Sequence, residues 1–369
     1  MTKILNKQFK PDNFSDPRIF YRALNRQEYA DFLPLLDAYY DQYQIKYIGE
    51  LRGTEINSNN FKIILKVNKQ TETILLRRFK VLTAPQQILT YLSLLKKLKV
   101  SDVPVVDIKL NSDQKLVTFK NNNYYAIFNF IAGEHFRPTN RSFTSLAKSI
   151  GLMHRALKKI PWRDRKKINY FSGRTKNIYY NQIKKYRAAD FKICLEIIKN
   201  KKSKTTVDKI LLAELPPLIA QVRISKRALI KNLPQQIIHS DLHPHNVLFK
   251  GQAAAAIIDF DCMRLSPVAR DVAIATYRFG RQFLVGQKMS ETNLRKKAKK
   301  LQDQFLTAYQ RINPLTPQEI KALPLLIKDE FLTKLLFVLR GAYLEGNISW
   351  TQDTIKFIDA LKEINYFWD

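Results

Sequence analysis

The chain predicts an α+β fold, and two patterns carry that reading. Short apolar-alternating runs, the signature of half-buried strands, crowd into the first third of the sequence. From Phe143 onward, apolar residues recur at helical spacing instead. Runs of strands followed by runs of helices are the α+β pattern. A chain of 369 residues has room for two lobes or two domains, each with a sizeable core.

The elements follow in order. Residues 1 to about 20 are polar, contain Pro11 and Pro17, and read as a loose lead-in. Phe32 to Tyr43 reads as a helix with Leu33, Leu36, Tyr39 and Tyr40 on its apolar face. Ile45–Leu51, Asn60–Val67 and Glu72–Lys80 read as strands. Thr83 can cap the next helix and Pro85 suits its first turn, with Ile88, Tyr91, Leu92 and Leu95 facing inward. Val105–Leu110 and Lys115–Phe119 are two further strands, and Tyr124–Phe130 is the last, running into Ile131-Ala-Gly133-Glu134. Leu146, Ile150, Met153 and Leu157 then line a helix, with His154 as a core or capping histidine. Val207–Ile230 is amphipathic and interrupted at Pro216-Pro217. Residues 271–369 read as helical, ending on Tyr343, Trp350, Tyr366, Phe367 and Trp368.

Composition bounds the setting. Two cysteines, Cys194 and Cys262, lie far apart in no metal-like spacing and suit a reducing cytoplasm. The N-terminus lacks the apolar stretch of a signal peptide, and no run approaches the length of a membrane span. The charge is unusual: 63 Lys and Arg against 32 Asp and Glu, a net +31. Between Lys158 and Lys204 stand 16 basic residues and three acids, with Tyr170, Tyr179, Tyr180 and Tyr186 among them. Such a surface suits an anionic partner, and it equally suits a merely solvated helical face.

The chemistry concentrates in residues 239–261. His239-Ser-Asp-Leu-His-Pro-His-Asn246 sets a carboxylate five residues ahead of a carboxamide. Val247-Leu-Phe249, the turn Lys250-Gly251-Gln252 and Ala253–Ile258 read as a hairpin. A hairpin brings its open ends together, so Asn246 and Asp259 can reach one cation. Asp241 lies just upstream, placed to accept a proton from a hydroxyl. Phosphoryl transfer asks for this kind of positioning and charge neutralisation. Magnesium prefers oxygen and takes one or two protein carboxylates beside substrate phosphates.

This segment resembles the catalytic and metal-binding loops of the aminoglycoside phosphotransferase and choline kinase superfamily, small-molecule relatives of the protein kinases. The resemblance covers most of residues 45–280. It implies a two-lobed protein-kinase-like fold: a small antiparallel β N-lobe over 1–130 and a larger, mainly helical C-lobe over 131–369. It implies ATP and Mg2+ as cofactors, Asp241 as catalytic base, and Asn246 and Asp259 as metal ligands. His239 matches the histidine packed beneath the loop, and Asp271 an acid that braces it. Ile74-Leu-Leu-Arg77 matches the phosphate-gripping strand, with arginine as in the homoserine-kinase-like branch. Ser58-Asn59 resembles a small-polar phosphate loop, and backbone groups near Asn129 and Ile131 would meet adenine. Related kinases pair the strand cation with a helix glutamate, where this chain offers Gln86 or Gln87. The three histidines 239, 243 and 245 admit a zinc site, but the family frame already accounts for them. Asp261 would add a water-mediated metal contact or accept a hydrogen bond from the loop.

The activity so implied is transfer of the ATP γ-phosphate to a hydroxyl of a small molecule. Choline, homoserine, a sugar and an aminoglycoside are all open as acceptors, as is a protein, and Asp329, Glu330 and Glu345 are acids that an acceptor could meet. The competing reading is a catalytically silent kinase-like protein, structural or binding, akin to spore-coat relatives that the chain resembles over Val103–Phe130. Such a protein would engage an anionic polymer or membrane through the 158–204 surface.

Overall fold

The computed structural model describes residues 20–52, 58–79, 85–172, 188–224, 232–347 and 350–368. These fall into two compact units. One holds the described residues of 12–176 together with 244–263; the other holds those of 177–243 and 264–369.

The first unit is built on seven strands: β1 (Phe20–Ala23), β2 (Gln44–Arg52), β3 (Ser58–Val67), β4 (Gln70–Phe79), β5 (Ile108–Lys109), β6 (Thr118–Lys120) and β7 (Asn123–Asn129). Their order is β1-β2-β3-β4-β7-β5, with β6 also on β7, and every pairing is antiparallel. Alternation sends Phe61, Ile63 and Leu65 of β3, with Ile74 and Leu76 of β4, to one face. After the single turn α1 (Arg26–Tyr29), Phe32 of a 3-10 turn (Ala30–Phe32) and Leu35 and Leu36 of α2 (Leu33–Leu36) join that core. Helix α3 (Pro85–Val100) buries Ile88, Leu92, Leu94, Leu95 and Leu98.

The unit also takes in α4 (Asn140–Lys158), α5 (Trp162–Ser172), and the hairpin β9 (Val247–Lys250) and β10 (Ala253–Ile257). Leu146, Ile150, Met153 and Leu157 of α4 are wholly buried, as their spacing requires, and His154 is buried with them. The hairpin is sewn in by hydrogen bonds. The Ala254 amide donates to the Ser145 hydroxyl (3.0 Å), Ile257 to the Pro104 carbonyl (2.7 Å), and Glu134 and Phe249 exchange amide bonds of 2.8 Å. The last exchange explains Gly133, where a Cβ would stand 2.9 Å from the Leu248 side chain.

The second unit contains α6 (Ala188–Lys199), α7 (Thr206–Ile224), the pair β8 (Gln235–Ile238) and β11 (Arg264–Pro267), and then α8 (Val268–Gly280), α9 (Glu291–Gln310), α10 (Pro317–Tyr343) and α11 (Thr351–Glu363). Helix α8 is buried along almost its whole length. At its C-terminal end Tyr277 packs edge-on against Phe331 and Phe367, while its hydroxyl donates to buried Glu363 (2.6 Å), which also accepts from Arg281 (2.8 Å). No helix among the described residues is long and apolar enough to cross a membrane.

Several expectations need correction. The helix over 32–43 stops at Leu36, because the Tyr43 hydroxyl turns back to donate to Asp37 (2.9 Å) and comes within 3.2 Å of the Leu33 carbonyl. A continuous helix would hold residues 33 and 43 about 15 Å apart. Helix α7 is not interrupted by Pro216-Pro217 but runs through both. Buried Leu211, Leu215, Leu218 and Ile219 offset the amide bonds that proline removes. Only Ile108-Lys109 of the 105–110 run pairs as a strand, with Val105 making a lone bridge to Ile257. Thr83, and Tyr179, Tyr180 and Tyr186 of the basic stretch, lie outside the described residues.

Candidate active site

The first unit carries the residues expected to hold metal and nucleotide. Gly251 turns the β9–β10 hairpin at φ +58°, a conformation that other residues adopt only under strain. Asn246 closes a 3-10 turn just before β9 and is 6% exposed. Its carbonyl accepts the Ile258 amide at 2.9 Å, so the residue preceding Asp259 is tied to Asn246 and the hairpin's open ends meet. Asp259 sits at φ 61°, ψ 57°, in the left-handed region, and leads into the 3-10 turn Phe260–Cys262 anchored by buried Phe260. A non-glycine residue there costs about 1–2 kcal/mol, a strain that concentrates at functional sites. A carboxamide oxygen and a carboxylate are hard donors, and two such ligands are what magnesium takes when phosphates and water fill its remaining positions. The donor set fits the ion. No group of three or more His, Cys, Asp or Glu positioned for a metal occurs among the described residues, and His245 lies against His135, ring centroids 5.4 Å apart.

Arg77 stands on β4, on the opposite face from Leu76 and Arg78. Its Nη2 donates to Asp261 Oδ2 at 2.6 Å and its Nη1 to the Tyr91 hydroxyl at 3.3 Å. Its Nε is buried without a hydrogen-bond partner among the described residues. Burial disfavours the guanidinium charge, but Asp261, Tyr91 and Asp259 outweigh it and raise the Arg77 pKa. Gln86 and Gln87, expected to replace the helix glutamate, are not its partners. Tyr91, one to two turns further along α3, and Asp261 are.

Ser58 and Asn59 open β3 rather than standing in a free loop; residues 53–57 before them lie outside the described residues. Ser58 is buried. Asn59 donates to Glu50 (3.3 Å) and accepts from Arg78 (3.2 Å). Asn129 ends β7, its amide donating to the Asp107 carbonyl (3.0 Å), and the Ile131 carbonyl accepts the Gly133 amide (2.9 Å).

The second unit carries the expected base. Asp241 follows β8 and is partly buried. His243 Nε2 lies 3.5 Å from its Oδ2, and Lys334 Nζ of α10 lies 3.5 Å from its Oδ1. Burial pushes the Asp241 pKa up, but His243, Lys334 and His239 together bring it well below the usual carboxylate range. The loop before it is held from below. Ser240 is left-handed at φ 70°, and Asp271, fully buried at the start of α8, accepts the amides of His239 (2.8 Å) and Ser240 (2.9 Å). His239 Nδ1 accepts the Asp241 amide at 3.3 Å. Asp271→Ala would leave two buried amides without that acceptor, so a loss of about 2–4 kcal/mol is expected in urea unfolding.

Asp329 and Glu330 do not stand open to an acceptor. Glu330, 1% exposed, accepts from Arg264 (2.6 Å) and Arg270 (3.1 Å), with Lys334 3.5 Å away, and Asp329 accepts from Arg270 (2.8 Å). Glu345 is exposed. Lys334, Tyr91 and the Asp261 pairing are the features that sequence reasoning missed. Their partners are distant in the chain, and no local pattern marks them.

A model of the phosphotransferase enzyme family matches residues 54–316. The homoserine kinase of Rhizobium etli is 32% identical over 136 residues, 36% of this chain and 39% of that protein. The homoserine kinase of Beijerinckia indica is 32% identical over 100 residues, 26% of this chain and 27% of that protein. The matches therefore span well under half of these relatives. Among solved structures, spectinomycin phosphotransferase in complex with ADP and spectinomycin aligns over 93% of this chain and 94% of its own, at TM-score 0.62 and 16% identity. The aminoglycoside phosphotransferase of Alicyclobacillus acidocaldarius aligns over 89% and 93%, at TM-score 0.59 and 15% identity. At these identities the likeness is one of fold, the α+β two-lobed fold expected from the sequence.

Proposed function

Since the chain belongs to the phosphotransferase enzyme family, we propose that it transfers the γ-phosphate of ATP to a hydroxyl of a small molecule, in the cytoplasm. The observation that carries the reading is the hairpin whose ends bring Asn246 and strained Asp259 together through the Ile258 amide. These two residues would hold magnesium, which when bound neutralises charge on the nucleotide phosphates. Arg77, with a buried Nε–H to spare, would grip the phosphates. Ser58 and Asn59 would lie along them, and the backbone at Asn129 and Ile131 would receive adenine. Asp241, held ionised by His243 and Lys334, would accept the proton of the attacking hydroxyl or orient it. The division of labour between a nucleotide-binding N-lobe over 1–130 and a catalytic C-lobe over 131–369 belongs to this proposal.

Thermal unfolding with ATP tests it. A ligand that binds only the folded state raises the melting temperature by mass action. ATP with magnesium should raise it in the wild type, ATP with a chelator should raise it less, and Asp259→Ala should lose the magnesium-dependent part. No shift at millimolar ATP sinks the proposal and leaves the silent-relative reading.

A further inference from the structure

We propose that Asp261 is the positioning residue for Arg77, doing the work that a helix carboxylate does in related kinases; the inference rests on the nucleotide site proposed above. Helix α3 presents no acid: its first turn is Pro85-Gln-Gln-Ile88, and no Asp or Glu occurs along it. A guanidinium on a strand, 12% exposed, needs a counter-charge to stay ordered. The chain supplies it from another segment, two residues after Asp259. Asp261 is itself 13% exposed, and its Oδ2 accepts from Arg77 Nη2 at 2.6 Å, a short charge-assisted bond.

The allocation of donors gives the pair its purpose. Asp261 occupies Nη2, and the Tyr91 hydroxyl takes Nη1 at 3.3 Å. The guanidinium lies 5.2 Å from the Phe79 ring centroid and 5.6 Å from that of Tyr91, which fixes its plane. The buried Nε–H is left over. An arginine held by one edge with a buried donor unused is preorganised for an anion. Because the acid rides on the Asp259 segment, the cation that would meet the phosphates and the carboxylate that would meet the metal are fastened to each other.

The opposite role for the same contact is competition, in which Asp261 occupies Arg77 and phosphate must displace it. The two roles differ in sign. ADP and adenosine affinities should be measured by calorimetry in chelator, where metal ligation plays no part, and again with magnesium. If Asp261 positions Arg77, Asp261→Asn should weaken ADP about tenfold and leave adenosine unchanged. The same substitution made on Arg77→Ala should weaken ADP no further. Asp261→Glu, which keeps the charge but moves it one methylene, should recover part of the loss, and it carries the test should the asparagine variant not fold. Unchanged or tighter ADP binding in Asp261→Asn overturns the inference, as does a loss seen only with magnesium, which would make Asp261 a metal ligand. Failure of the wild type to bind ADP or ATP at all would instead bring down the nucleotide site itself, and this inference with it.

Discussion

Asp241→Asn is expected to lower kcat by about 10²- to 10⁴-fold while ATP affinity stays within about twofold. The substitution keeps the shape of the side chain and removes its charge and its capacity to take a proton. The Asp241 amide still donates to His239, and the Asp271 bonds beneath the loop do not involve the side chain, so the fold should persist. The pH dependence carries a second signature. The folded-state pKa is depressed, so the carboxylate is ionised above the ordinary range and stays so as pH falls through it. The acid limb of kcat should therefore lie below the usual carboxylate pKa of about 4. Lys334→Met removes one cation 3.5 Å from Asp241 and should move that limb to higher pH. Single-turnover kinetics across pH decides the matter: full turnover by Asp241→Asn would remove the base role.

The second large effect is on stability. Glu330→Ala is expected to cost about 3–5 kcal/mol in chemical unfolding, because it removes the buried carboxylate shared by Arg264, Arg270 and Lys334, leaving Arg270 only Asp329 and Lys334 only Asp241 as acidic neighbours. Burial raises the Glu330 pKa, but Arg264, Lys334 and Arg270 bring it down to about 2. Its contribution to stability is thus complete above the unfolded value of about 4.5 and is lost as pH falls toward 2. Wild type and variant should converge in stability as pH drops through that window. A variant as stable as the wild type at neutral pH would show that the three cations find other partners.

The local parts of this arrangement could be read from the chain, and the long-range ones could not. The β9–β10 hairpin follows from two apolar runs and a Lys-Gly-Gln turn, and with it the meeting of Asn246 and Asp259. Strand alternation placed Arg77 and Arg78 on opposite faces. Asp271 under the loop came through family resemblance and holds two of its amides. The partners of Arg77 and Asp241 came from neither route. Asp261 is 184 residues from Arg77, and Lys334 is 93 from Asp241. Proline rules misled at α7, where buried leucines carry the helix through two prolines, and apolar spacing misled at α2, where a tyrosine folds back. In each case packing overrode a local preference.

The chain's excursion over residues 244–263 bears on heredity and dissection. Twenty residues that complete the first unit are encoded inside the gene segment for the second. A fragment ending at residue 176 would lack the partners of Ser145, Pro104 and Glu134 and should be soluble only with the missing peptide added back. Recombination between relatives could not exchange the first unit at a single crossover; both segments would have to come from the same parent.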